Sequence, residues 1–254
     1  MNADITTEEE AWTTLRGLTA ARIGLKRAGA SLATAPLLDF RLAHARARDA
    51  VHAPLDTARA AAELAEVGGP VVAVASAAPD RQTYLTRPDL GRRLAAEAGA
   101  ALLPHRGAYD VVFVVADGLS ARAVELHARP VLSHAMTALR NEGWKLAPLV
   151  IVRHGRVAIG DAIAAALGAD AVAVLIGERP GLSAPDSLGA YLTWQPQSGS
   201  TDADRNYVSN IRPEGVRYNA AASKIVHLLR AMRARRLSGV ELKDESDRLL
   251  VGPT

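Results

Sequence analysis

Up to about residue 105 the apolar positions recur mostly at helical spacing. Thr7 and Glu10 make a capping-box pattern ahead of Trp12, Leu15 and Leu18, and Thr34 and Pro36 open a second helix carrying Leu37, Leu38, Arg41 and Ala45. Asp56 caps a third helix that runs out at Gly68 and Gly69, and an apolar strand follows at Val71 to Ala75. Tyr84 to Leu94 reads as a strand-like entry into a helix with Pro88 in its first turn.

Beyond residue 105 the rhythm alternates. Strands are predicted at Val111 to Val115, Leu149 to Val152, Ala171 to Ile176 and Tyr191 to Trp194. Between them fall helices near Ser120 to Leu126, Val131 to Leu139 and Asp161 to Leu167, and a closing helix spans Asn219 to Leu237 with Gly239 as its stop. Strands that alternate with helices, and are apolar on both faces, build parallel βαβ units. The expected fold is therefore α/β: a Rossmann-like, mostly parallel sheet flanked by helices over residues 106–254, preceded by a smaller, mainly helical N-terminal domain over residues 1–105.

The most informative junction is the end of the Ala171 strand. Val172, Val174, Leu175 and Ile176 run straight into Gly177, Glu178, Arg179, Pro180 and Gly181, a charged pair in a turn where a buried strand stops. In open α/β sheets the crevice beyond the carboxyl ends of the strands is the usual ligand site.

Composition narrows the chemistry. With 254 residues and 49% hydrophobic content the chain can bury a full core. It has no cysteine, which excludes disulfides and thiolate chemistry and suits a cytoplasmic location. No apolar stretch nears the roughly 20 residues that a membrane helix needs, and the acidic N-terminus is no export signal. The pI is about 9.4, yet the net charge is only +3, and Arg230, Arg233, Arg235 and Arg236 read as a solvated helix end lacking the aromatic interleaving of a nucleic-acid surface. No nucleic-acid or membrane partner is expected.

No G-x-G-x-x-G, P-loop or G-x-S-x-G motif occurs, and Ser120 has no evident histidine partner. The seven histidines lack metal-ligand spacing, so no metal site is expected; His154 alone follows a strand, and reads as a surface-loop residue. Asp202 and Asp204 suit acid–base work or a cation, although capping is the stronger expectation for them. Asn206 to Asn210 and Arg212 to Gly215 read as irregular, lying near the Glu178 loop if the intervening segment returns to the same sheet edge. Polar loops without a nucleophile–base pair point to a binding surface rather than a self-contained active site.

Five segments in order, Tyr84-Leu-Thr-Arg-Pro-Asp-Leu-Gly-Arg-Arg-Leu94, Asp117-Gly-Leu-Ser120, Gly155-Arg-Val157, Gly177-Glu-Arg-Pro-Gly-Leu182 and Ala203-Asp-Arg-Asn-Tyr-Val-Ser-Asn-Ile211, resemble the small subunit of ethanolamine ammonia-lyase. The similarity covers nearly the whole chain from about Arg22 to Gly239. The resemblance implies a carbon–nitrogen lyase that turns ethanolamine into acetaldehyde and ammonia through adenosylcobalamin radical chemistry. It implies a large subunit that binds ethanolamine, and a small subunit that closes over cobalamin at the interface without a catalytic residue of its own.

By motif the resemblance assigns cobalamin contacts to Val157, Glu178 and Tyr207, with Tyr207 standing where the family carries Cys. The D-x-H-x-x-G signature of proteins whose histidine displaces the lower base is absent, in keeping with base-on binding. Some relatives carry a longer N-terminal extension linked to bacterial microcompartments; this N-terminus is short. The alternative is a nonenzymatic cobalamin-binding or scaffold module.

Overall fold

A computed structural model describes residues 8–244, so the Thr7 cap lies outside the described residues. α1 (Glu8–Gly17) leads to a short antiparallel hairpin of β1 (Arg27–Ala28) and β2 (Ser31–Leu32), then to α2 (Thr34–His52) and α3 (Thr57–Ala65). Asp56 caps α3 by accepting from the Arg59 N–H at 3.0 Å. Thr34 is already helical, and the cap position of α2 falls to Ala33, whose side chain makes no capping bond.

The centre is a six-stranded sheet of β3 (Val71–Ala75), β4 (Tyr109–Ala116), β5 (Leu149–Arg153), β6 (Ala169–Gly177), β7 (Leu188–Trp194) and β8 (Asn206–Ile211), in the order β3-β5-β4-β6-β7-β8. The first four are parallel; β7 and β8 are antiparallel to their neighbours.

Period-2 alternation divides the side chains between two cores. Phe113, Val115, Ile151, Ala173, Leu175, Leu192 and Val208 face α3 and the long helices α7 (Ala121–Asn141) and α9 (Tyr218–Arg235). Val112, Val114, Val150, Val172, Val174 and Ile176 face α6 (Ala98–Leu102) and α8 (Ile159–Leu167). Each fully buried Val, Leu or Ile contributes roughly 1.5–3 kcal/mol relative to exposure, so the parity of the central strands β4, β5 and β6 is strongly fixed. Gly160 lets α8 approach the sheet, since a Cβ there would lie 2.4 Å from Val174 Cγ2.

Four expectations are corrected. Tyr84 enters no strand: Asp80 caps α4 (Arg81–Thr86) by accepting from the Thr83 N–H at 2.7 Å, and α5 (Pro88–Gly91) follows. The helices predicted on either side of Pro130 are one helix, because the buried stripe of Val124, His127, Ala128, Val131, Leu132 and Ala135 is unbroken and outweighs the roughly 3 kcal/mol cost of an internal proline. The Asn206 stretch is a strand, as Val208 and Ile211 are buried while Tyr207 and Ser209 point outward. α9 ends with Arg236 in the left-handed region (φ 55°), three residues before the expected stop at Gly239.

Candidate functional site

The polar loops collect at the C-terminal ends of β4, β5 and β6. Gly118, at φ +57°, brings the loop after β4 against the end of β6: a Cβ there would sit 2.2 Å from the Gly177 carbonyl oxygen, which accepts from the Leu119 N–H at 2.9 Å. Ser120 caps α7 by accepting from the Ala123 N–H and donates its hydroxyl to the Pro185 carbonyl at 2.9 Å. Its oxygen is thus occupied structurally.

Beneath these loops lies a buried polar hub. Asp117 is 1% exposed; its Oδ1 accepts from the Gly155 N–H at 3.1 Å and its Oδ2 lies 3.4 Å from Arg81 Nη1. Arg81 also donates to the carbonyls of Gly118 (2.8 Å) and Val51 (2.7 Å), tying α2 and α4 to the strand ends. Burial pushes the Asp117 carboxyl up and the Arg81 guanidinium down, while their mutual attraction opposes both shifts. Tyr84 is fully buried and donates to the Gly155 carbonyl at 3.1 Å; burial raises its phenol. The Tyr84 ring takes the Arg81 guanidinium at 4.9 Å and that of Arg156 at 4.2 Å. His154 corrects the surface-loop expectation: it is buried, has φ 59°, stacks on Tyr84, and its Nδ1–H points to the Ala78 carbonyl at 3.2 Å.

Above the hub, a cleft of about 430 Å³ is lined by Gly118, Arg156, Val157, Glu178, Arg179 and Tyr191, among others. Strand parity explains its composition. Val172, Val174 and Ile176 point to the α8 side of the sheet, and Glu178 continues that series as its N–H bonds the Ser187 carbonyl at 2.9 Å. Tyr191 and Tyr207 are direct cross-strand partners and stack at 6.2 Å between ring centroids, with Tyr207 65% exposed. Glu178 Oε2 accepts from the Ser187 hydroxyl at 2.5 Å and from the Asn210 N–H at 3.2 Å, so β8 does return to the Glu178 loop. Oε1 takes no hydrogen bond from the described residues and is left as an acceptor. Burial, and then the Glu178 carboxylate, raises the Tyr191 phenol.

A larger groove of about 960 Å³ adjoins the cleft through shared walls at Arg156, Val157 and Tyr191. Arg205 and Asp161 brace it as a buried ion pair at 2.7 Å. Asp204 fills the capping role, with Oδ2 accepting from the Thr201 N–H at 2.7 Å and hydroxyl at 2.9 Å. Among the described residues no group of three or more His, Asp and Glu side chains is placed to hold a metal ion, and no helix is long and apolar enough to cross a membrane.

The structure thus brings Val157 and Glu178 into one cleft and sets Tyr207 against its wall through Tyr191. It leaves Asp202 and Asp204 apart from this cleft. The sequence reading missed Arg81, Tyr84 and Tyr191 as members of the site, and placed Asp117 only among the polar strand-end loops, without a role. Asp117 carried a usable signal, following the apolar run of β4 as Glu178 follows that of β6; Tyr191 carried none until the strand register was known.

A family model described as ethanolamine ammonia-lyase light chain matches residues 9–243. Among the similar proteins are ethanolamine ammonia-lyase small subunits from Xanthomonas campestris pv. campestris strain B100 (54% identical, covering 99% of this chain and 94% of the relative) and Azotobacter vinelandii (54% identical, covering 94% and 90%). A third, from Pseudomonas fluorescens strain Pf-5, is 51% identical over 95% of this chain and 89% of its own length. The match spans the sheet, the hub and the cleft alike, and the chain belongs to the ethanolamine ammonia-lyase light-chain family.

Proposed function

We propose that this chain is the small subunit of an adenosylcobalamin-dependent ethanolamine ammonia-lyase, and that it helps to hold the cobalamin against a large subunit that binds ethanolamine and carries the catalytic residues. The observation that carries this reading is the convergence of Val157, Glu178 and Tyr207 on one cleft and its wall, from three separate stretches of chain.

The donor set fits the group. Corrin amides and ribose hydroxyls are donors, and Glu178 Oε1 is an open carboxylate acceptor. Val157 and the stacked Tyr191 and Tyr207 rings provide apolar and aromatic surface for a large, flat macrocycle. The hub beneath holds Gly155, two residues before Val157, through the Asp117 and Tyr84 hydrogen bonds, so the loop is pre-positioned rather than ordered on binding. When bound, adenosylcobalamin supplies a carbon radical by homolysis of its cobalt–carbon bond. This chain's own groups orient and enclose: Ser120 and His154 are committed to structural hydrogen bonds and form no nucleophile–base pair.

The test is co-expression with a cognate large subunit, followed by cobalamin titration and an assay for acetaldehyde from ethanolamine. Activity that requires both chains and the cofactor is expected. A cobalamin-loaded complex without activity would sink the lyase reading and leave a nonenzymatic cobalamin-binding or scaffold module. Glu178→Ala should weaken cobalamin binding more than it lowers the rate at saturating cofactor; an unchanged dissociation constant would refute the role given to Glu178.

A further inference from the structure

We propose that the larger groove beside the cleft is an anion subsite that takes the phosphodiester of the cobalamin nucleotide tail, with Arg156 and Arg92 as its cationic ligands. This rests on the cobalamin reading above and extends it from the cleft into the adjoining groove, whose lining includes Val157 but neither Glu178 nor Tyr207.

Charge pairing singles out these two arginines. Of the guanidiniums lining the groove, Arg93 is paired with Asp89 at 3.3 Å and Arg205 with Asp161 at 2.7 Å. Arg92 and Arg156 have no carboxylate within 4.0 Å among the described residues. Among the described residues Asp202 is the only other carboxylate on the lining, so two unpaired cations face one unpaired anion and this lining is net positive.

Arg156 is also held in place. Its guanidinium lies over the Tyr84 ring at 4.2 Å, its Nη2 donates to the Tyr84 carbonyl at 3.2 Å, and its own N–H bonds the Gly91 carbonyl at 2.8 Å. Its Nε is buried without a hydrogen-bond partner. A fixed, partly desolvated guanidinium is the group best suited to a phosphodiester, whose negative charge persists at every physiological pH.

Position and size agree. Arg156 lines both the cleft and the groove, and its chain neighbour is Val157. The cleft, at about 430 Å³, falls within the roughly 300–1,000 Å³ range of pockets for drug-sized ligands, whereas cobalamin is much larger and must extend beyond it. The adjoining groove of about 960 Å³ offers that extension, with Ser198 and Ser200 in its lining as further polar groups.

The experiment compares cobalamin with cobinamide, which keeps the corrin but lacks the nucleotide tail, by equilibrium titration of the two-subunit complex. Arg156→Gln should weaken cobalamin binding about tenfold, the scale of a lost charge-assisted hydrogen bond, and change cobinamide binding by less than about twofold. Arg156→Lys should restore part of the loss. Arg92→Gln alters an exposed side chain, so its selective effect on cobalamin would not be a folding defect. Glu178→Ala should weaken both ligands alike.

Equal losses for cobalamin and cobinamide in both glutamine variants, or no loss in either, would overturn the subsite while leaving the cobalamin reading intact. Failure of the wild-type complex to bind either corrinoid would overturn both. Inorganic phosphate should compete with cobalamin and not with cobinamide. Arg156-dependent phosphate binding without such competition would assign the groove to free phosphate and overturn the proposal.

Discussion

Arg205 grips Asp161 with two parallel hydrogen bonds, Nη1 to Oδ1 and Nη2 to Oδ2, each 2.7 Å long, between side chains only 2% and 7% exposed. The same guanidinium donates to Thr193 Oγ1 at 2.8 Å and to the Ser200 carbonyl at 3.1 Å, so one residue ties α8, β7 and the β7–β8 connection together. Removing the cation strands a buried carboxylate. Arg205→Met is expected to cost about 3–5 kcal/mol of unfolding free energy, and adding Asp161→Leu should recover much of it, because neither charge then remains unpaired. Denaturant titrations of the single and double variants decide this; additive losses would contradict it.

Gly118 and Gly143 separate the cost of backbone strain from that of a collision. Both have positive φ (57° and 77°), but a Cβ on Gly118 would meet the Gly177 carbonyl at 2.2 Å, whereas one on Gly143 would meet nothing within 4 Å. Gly143→Ala should therefore cost only about 1 kcal/mol, the left-handed penalty, while Gly118→Ala should cost about 2 kcal/mol more and displace the loop bearing Leu119. Thermal unfolding of the two variants side by side is the measurement, and equal losses would refute the collision.

His127 should make the fold acid-sensitive. Burial holds its imidazole below the usual 6.5, against the opposing pull of Asp186, whose Oδ2 is 4.0 Å away; Arg212, Glu214 and the Tyr218 hydroxyl also face it. In the unfolded chain the ring takes up its proton near 6.5, but in the fold only at lower pH, so the unfolded state binds more protons across that interval. His127's contribution to stability consequently falls as pH drops through 6.5 and levels off below the folded value. Between about pH 7 and 5, wild type should lose more stability than His127→Gln, whose side chain does not titrate. Identical slopes in denaturation curves would remove His127 as the cause.

Tyr207 should matter to the ligand more than to the fold. It is 65% exposed, so Tyr207→Ala is expected to cost less than about 1 kcal/mol of stability. If the ring backs Tyr191 against a corrinoid, cobalamin binding by the two-subunit complex should weaken several-fold in Tyr207→Ala and hold in Tyr207→Phe, which keeps the stack. A Phe variant as weak as the Ala variant would shift the role to the hydroxyl.

Much of this was legible in the sequence for a plain reason: an apolar run in a two-sided sheet has few alternative fates. β4, β5 and β6 announced themselves in this way, and Glu178 stood out as a charge directly beyond such a run. β8 did not, because as an edge strand it buries only Val208 and Ile211 and keeps its other residues polar. Pro130 misled because a local rule cannot see the core that holds both halves of α7 against the sheet. The hub was invisible because its bonds join distant residues: Tyr84 reaches Gly155 across 71 positions, and no local spacing encodes that.

The antiparallel return of β8 along β7 leaves the cleft exposed to a kind of frameshift in space. Tyr191 pairs with Tyr207 on the α8 side, while Ala190 pairs with Val208 on the side of α7 and α9. One residue inserted within the Pro196–Arg205 connection would lengthen a surface loop and leave this pairing intact. The same insertion between Asn206 and Tyr207 would exchange inside for outside along β8, carrying the Tyr207 ring toward α7 and α9 and a small aliphatic side chain toward the α8 side. Natural length variation in the family should therefore concentrate before Asn206 and stop there.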